Sequence, residues 1–166
     1  RVNLLTYTED FSNAAWGTYV FSGSPTLVKT PDYATAPDAS MTACRVQCDA
    51  MGGNGVVLCQ APVIAGTYPK SVWIKSNTGS DQVITIAAAE PSAKITVTST
   101  WARYSCAANI GWHYAFQVGV YLPDGTDSSC DILIWHPQVE LGTTATPYQS
   151  VPGDGSTYAT AFPIYQ

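Results

Sequence analysis

Residues that could meet a ligand recur along the chain in alternating patterns. Arg45 and Gln47 alternate away from Cys44, Val46 and Cys48. Trp73 and Lys75 oppose Val72 and Ile74, and Trp101 with Arg103 forms a similar pair. His113, Gln117 and Tyr121 oppose an apolar row of Tyr114, Phe116, Val118, Val120 and Leu122. Aromatic faces stack on pyranose rings and planar polar groups hold hydroxyls, so this set suits sugar binding. A single Trp is more simply explained by core packing. A whole face of Arg, Gln, His and Tyr is either a plain solvent face or a groove. The candidate carbohydrate-binding residues are Arg45, Gln47, Gln60, Trp73, His113, Gln117 and Tyr121, gathered on one sheet face. Gln60 joins Arg45 and Gln47 if the chain between them is a hairpin.

The residues select no catalytic constellation. His113 and His136 are the two histidines, and His136 precedes Pro137 within an apolar strand, a structural setting. There is no G-x-S-x-G elbow and no phosphate-cradling G-x-x-x-x-G-K. Glycoside cleavage needs two facing carboxylates, and none of Glu9, Asp10, Glu90, Asp131 or Glu140 is singled out as a pair. The expectation is a protein without enzymatic activity, cofactor or metal site. The five cysteines show no C-x-x-C spacing. If Gly52-Gly53-Asn54-Gly55 closes a hairpin with Met51 facing Val56, Cys48 faces Cys59 at bridging distance. The alternative is that both are small reduced core residues.

These residues need elements to hold them, and composition indicates which. The chain has 166 residues, 46% hydrophobic and only 11% charged, which suits one folded domain and not a disordered segment. Helical surfaces are usually paved with Lys and Glu, which are scarce here. A net charge of −5 without clustered Lys or Arg argues against nucleic acid. No apolar run approaches the ~20 residues of a membrane span, and no signal-peptide pattern is present. The chain begins at Arg1, so a processed product or one domain of a longer chain is expected. Gly and Pro punctuate short β-branched and aromatic runs, as in an all-β sandwich. Strands are expected at 17–22, 26–30, 41–48, 56–61, 71–76, 82–88, 94–98, 101–107, 113–122, 130–136 and 138–141. The runs at 113–122 and 130–136 should form a hairpin. Residues 1–151 make the domain, and 152–166 an arm or linker whose Tyr158, Phe162, Ile164 and Tyr165 would pack on a neighbour.

The ends of the chain carry a resemblance. Asn3-Leu4-Leu5 and Asp10-Phe11-Ser12-Asn13-Ala14-Ala15-Trp16 open it. Tyr68, Ser71-Val72-Trp73-Ile74-Lys75 and Trp101-Ala102-Arg103-Tyr104 follow. Ile134-Trp135-His136-Pro137-Gln138-Val139-Glu140-Leu141-Gly142 and Ala145-Thr146-Pro147-Tyr148 close it. In this order the chain resembles the carbohydrate-binding-module-like jelly roll of bacteriophage tail fibres and related virion proteins. His136-Pro137 departs from that pattern, which has Gly and a small residue there. Pro137 and Gln138 replace an Asp pair that helps related modules hold a structural Ca²⁺.

The resemblance implies a two-sheet antiparallel β-sandwich of galactose-binding or carbohydrate-binding-module type. It implies termini that meet, with Asn3 and Asp10 near Glu140 and Trp16 near the closing strand. Trp16, Trp101 and Trp135 would keep the fold, leaving Trp73 and the polar faces for function. It further implies a virion-surface protein, on a tail fibre, spike or capsid, that binds host-surface glycan beside other virion subunits as a homotrimer. The competing reading is a structural virion module, a decoration, connector or trimerisation domain without a ligand.

Overall fold

In the computed structural model, residues 2–60, 66–88, 93–110 and 116–154 are described. His113, Glu90-Pro91-Ser92 and the apolar residues of the arm lie outside them. The strands are β1 (Gly17–Ser22), β2 (Thr26–Ala34), β3 (Ala43–Asp49), β4 (Gly55–Gln60) and β5 (Gly66–Ser76), then β6 (Gln82–Thr85), β7 (Lys94–Val97), β8 (Ala102–Ile110), β9 (Phe116–Tyr121) and β10 (Ser129–Val139). One 3-10 turn, Leu122–Asp124, follows β9, closed by Gly125 in the left-handed region. Two five-stranded antiparallel sheets result, ordered β1-β4-β9-β6-β7 and β2-β3-β10-β5-β8. This is the expected β-sandwich.

Period-two alternation sends one row of each strand inward. Phe116, Val118 and Val120 of β9 meet Ile132 and Ile134 of β10, Val72 and Ile74 of β5, and Val56 and Leu58 of β4 in a common core. Trp16 is buried in it against Phe11 and Phe116, at 5.0 and 5.6 Å between ring centroids. Its described ring partners thus lie on its own segment and on β9, not on the closing strand.

Two expected hairpins are instead crossings between sheets. β3 lies in the second sheet and β4 in the first, and β9 and β10 are likewise divided. The Gly52–Gly55 run carries the chain over the edge: a Cβ on Gly53 would stand 2.3 Å from the Ser22 carbonyl oxygen. Four turn residues serve a crossing as well as a hairpin, so local sequence does not separate the two. Cys48 therefore faces Cys130 across β3 and β10, while Cys59 faces Gly17 and Gln117. All five cysteines are free thiols.

The opening and closing motifs meet as expected. Asn3 bridges Glu140. Its Nδ2 donates to the carbonyls of Pro137 and Gln149, and its Oδ1 accepts from the Leu5 and Val139 amides. Glu140, 1% exposed, accepts from Gln138 Nε2 and from the amide and hydroxyl of Thr146. Asp10 instead holds its own turn, accepting from the amide and hydroxyl of Ser12.

The expected strands at 130–136 and 138–141 are one strand with a bulge between Trp135 and Gln138. His136 takes φ +51 there, a left-handed backbone that glycine adopts most easily. That accounts for the glycine in the resembling pattern, and His136 is held by its neighbours instead. Its ring lies between those of Trp135 and Tyr148, at 3.2 and 3.6 Å between centroids.

Candidate functional site

The outer face of the second sheet collects three of the expected residues. Arg45 and Gln47 stand on β3, and register sets them opposite Leu133 and Asp131 of β10. Trp73 of β5 stands opposite Trp135 on one side and Arg103 of β8 on the other. Lys75, two residues on, faces Leu133. These side chains share a face because each is an even step from the others along its strand.

An apolar floor supports the face. Ala36, Ala43, Leu133 and Trp135 form a second cluster, separate from the core, with Ala34, Trp73 and Trp101 packed on it. Trp135 is 8% exposed and donates its Nε1 to Thr42 Oγ1. Trp73 meets it edge-on, centroids 6.3 Å apart, and stays half-buried, as does Trp101. Trp135 is thus fold-keeping as expected, whereas Trp101 is only half covered.

A polar row runs beside the aromatic one. Arg45 grips Asp131 with two parallel bonds, Nε to Oδ1 at 2.9 Å and Nη2 to Oδ2 at 2.7 Å. Its guanidinium carbon lies 4.9 Å from the Tyr33 ring centre. Asn77 Nδ2 adds a third bond to Asp131. The Arg45 bond leads the causes that hold the Asp131 carboxyl below its ordinary range, so it remains a charged acceptor and not an acid. Arg103 reaches Ser71 Oγ and the Thr146 carbonyl, and its Nε is buried without a partner.

The remaining expected residues are elsewhere. Gln60 and Gln117 belong to the first sheet and are 7% and 2% exposed. Gln60 points inward, accepting from the Thr6 amide and donating to the Thr6 carbonyl. Gln117 accepts from the Ala88 amide. The Gln60 amide is spent on the backbone at both ends and the Gln117 oxygen is spent as well, and with both residues buried neither is placed to hold a sugar. Tyr121 also lies on the first sheet, its ring 4.4 Å from that of Phe21. The single face expected for all seven residues is therefore not formed. His113 lies outside the described residues.

Sequence reasoning missed Tyr33 and Trp135 as members of the site and left Arg103, Lys75 and Asp131 out of it. Arg103, Lys75 and Asp131 do carry the alternation signal, but only strand pairing shows that they adjoin Arg45 and Trp73. Among the described residues, no three His, Cys, Asp or Glu side chains converge as metal ligands.

No protein-family model matches the sequence, and no curated protein does. Solved structures follow a similar course. One is the enzymatically active domain of tailspike protein 4 of bacteriophage CBA120, at TM-score 0.49 and 14% identity, covering 84% of this chain. The chain spans only 21% of that tailspike chain. A second is TmCBM61, determined with β-1,4-galactotriose, at TM-score 0.48 and 14% identity over 86% of this chain and 100% of the other. A third is the CBM22-1 xylan-binding domain from Paenibacillus barcinonensis, at TM-score 0.44 and 15% identity over 84% and 94%.

Proposed function

We propose that this chain is a non-catalytic carbohydrate-binding module that holds a glycan on the outer face of its second sheet. The observation that carries this reading is the half-exposed Trp73 beside a row of planar polar groups on paired strands, with Asn77 just past the end of β5. Trp73 would stack on a pyranose ring, while Gln47, Asn77 and the Arg45–Asp131 pair would meet hydroxyls. Strands fix these groups in advance, which limits the ordering cost of binding. A single such site binds weakly, on the order of 1 mM to 1 μM, and useful attachment then comes from several copies. Placement on a virion, attachment to a host surface and assembly as a trimer are supported by the sequence resemblance alone and extend the proposal.

A second reading, a structural module without a ligand, is favoured by one observation. Arg45 and Asp131 satisfy each other, as the polar groups of a protein-covered face would. A glycan array on the chain, followed by calorimetry on the strongest hit, separates the two. Binding that is lost in Trp73→Ala supports the module reading. A silent array, or a hit that Trp73→Ala binds equally well, gives the face to structure.

A further inference from the structure

We propose that the glycan held on this face is acidic, a uronate-bearing oligosaccharide whose carboxylate is met by Lys75 and Arg103 on either side of the Trp73 ring. The inference rests on the module reading and adds the charge of its ligand. The chain as a whole is acidic, with twelve Asp and Glu against seven Lys and Arg. Three of those seven, Arg45, Lys75 and Arg103, nevertheless stand on one sheet face in neighbouring strands. Lys75 follows Trp73 by two residues on the same side of β5, and Arg103 is in direct register with Trp73.

Among the described residues neither Lys75 nor Arg103 forms an ion pair; Glu140 joins Arg103 only through Thr146, whose amide and hydroxyl donate to the carboxylate and whose carbonyl accepts from Arg103. Asp131 is taken by Arg45 and Asn77. Asp49 lies at the far end of β3, where it accepts from the Met51 amide. Among the described residues Lys75 has neither a hydrogen bond nor an ion pair. Arg103 bonds only to a hydroxyl and a carbonyl, both uncharged. Lys75, without a partner, and Arg103, bonded directly only to neutral groups, lie beside Trp73 in an otherwise acidic protein and complement an anionic ring ligand. Arg103 holds Ser71 and Thr146 through Nη2 and buries Nε, which leaves Nη1 to bond a carboxylate, a stronger contact than one to a hydroxyl. A neutral sugar would leave Lys75 without a counter-charge.

The test uses the intact chain and a panel of uronate oligosaccharides, each paired with its carboxyl-reduced neutral form, titrated at low and high salt. Polyglutamate serves as an acidic polymer without sugar rings. The acidic forms should bind about tenfold tighter than their neutral partners, as one charge-assisted contact would give. The preference should shrink at high salt and in Lys75→Gln, while Trp73→Ala weakens both forms. Equal binding of acidic and neutral forms overturns the inference and leaves the module reading standing. Polyglutamate bound as tightly as the oligosaccharides overturns it as well, because charge alone would then explain the preference. If neither form of any pair binds, the inference fails, and a silent glycan array in addition removes the module reading.

Discussion

Cys48 faces Cys130 across the ladder between β3 and β10, thiol to thiol on the core side of the second sheet. The facing Cys130 thiol, together with burial, raises the Cys48 thiol well above its ordinary range. Burial likewise pushes Cys44 up to about 12 and Cys59 up to about 11. The reactive species is the thiolate, so at pH 8 these groups should label very slowly in the native protein. A thiol-counting reagent should find few rapid sites in buffer and five in denaturant. Oxidation during refolding should join Cys48 to Cys130, detectable by peptide mapping under non-reducing conditions. A Cys48–Cys59 peptide in the refolded protein would contradict the register described above.

His136 supplies a pH dependence. Burial holds its imidazole down to about 4, from an ordinary value of 6.5. Asp38 favours the proton and Arg103 opposes it, while the Glu9 carboxylate lies 3.5 Å from Nε2. The unfolded chain therefore binds the proton first as pH falls. Stability from this group is fully present above 6.5 and is lost as pH falls from there to about 4. Loss of up to about 3 kcal/mol is expected across that window. Urea midpoints measured at several pH values should show it. His136→Asn tolerates the left-handed backbone and should flatten the profile in that range. Asp131, whose carboxyl is lowered by Arg45, loses its contribution in more acidic solution and should leave a residual slope there.

Asn3 is the clasp between the opening segment and the segment 137–149. Its four hydrogen bonds are nearly all buried, and it is 3% exposed. Asn3→Ala leaves the Leu5 and Val139 amides without their acceptor and should cost about 2–4 kcal/mol. Chemical denaturation should report this as a lower midpoint with an unchanged slope. A change below about 0.5 kcal/mol would mean that water replaces the side chain and the clasp is dispensable.

Local alternation made most strands legible. β1 begins and ends where expected, and β9 turns Phe116, Val118 and Val120 inward as its period-two pattern requires. The resemblance at the ends was equally informative, since Asn3 and Glu140 do meet. Pairing was less legible, because a glycine-rich turn closes a hairpin or crosses between sheets with the same residues. That ambiguity misplaced both Gln60 and the partner of Cys48. Gln117 failed for a different reason. Alternation puts it opposite the core row, but an outward direction is not exposure, and here the Ala88 amide occupies it. Arg45, Gln47 and Trp73 could be found from their own strands. Their neighbours Asp131, Trp135 and Arg103 belong to the site only through pairing across β3, β10, β5 and β8.

Trp73 and Gln117 should therefore part company when each is replaced by Ala. Gln117→Ala removes the acceptor of the buried Ala88 amide, an unsatisfied group worth about 1–3 kcal/mol. It should lower the melting temperature and leave the affinity of the folded protein for any glycan unchanged. Trp73 is half-buried and meets Trp135 edge-on, so Trp73→Ala also loosens the outer cluster. That loss should stay below the about 3–5 kcal/mol of a fully buried Trp, which is the expectation for Trp135→Ala. Binding should behave in the opposite way, with Trp73→Ala losing the glycan while Gln117→Ala keeps it. Calorimetry and thermal melts on the same preparations read both quantities. Loss of binding in Gln117→Ala at full foldedness, with Trp73→Ala unaffected, would move the site to the first sheet, where Gln117 and Tyr121 lie.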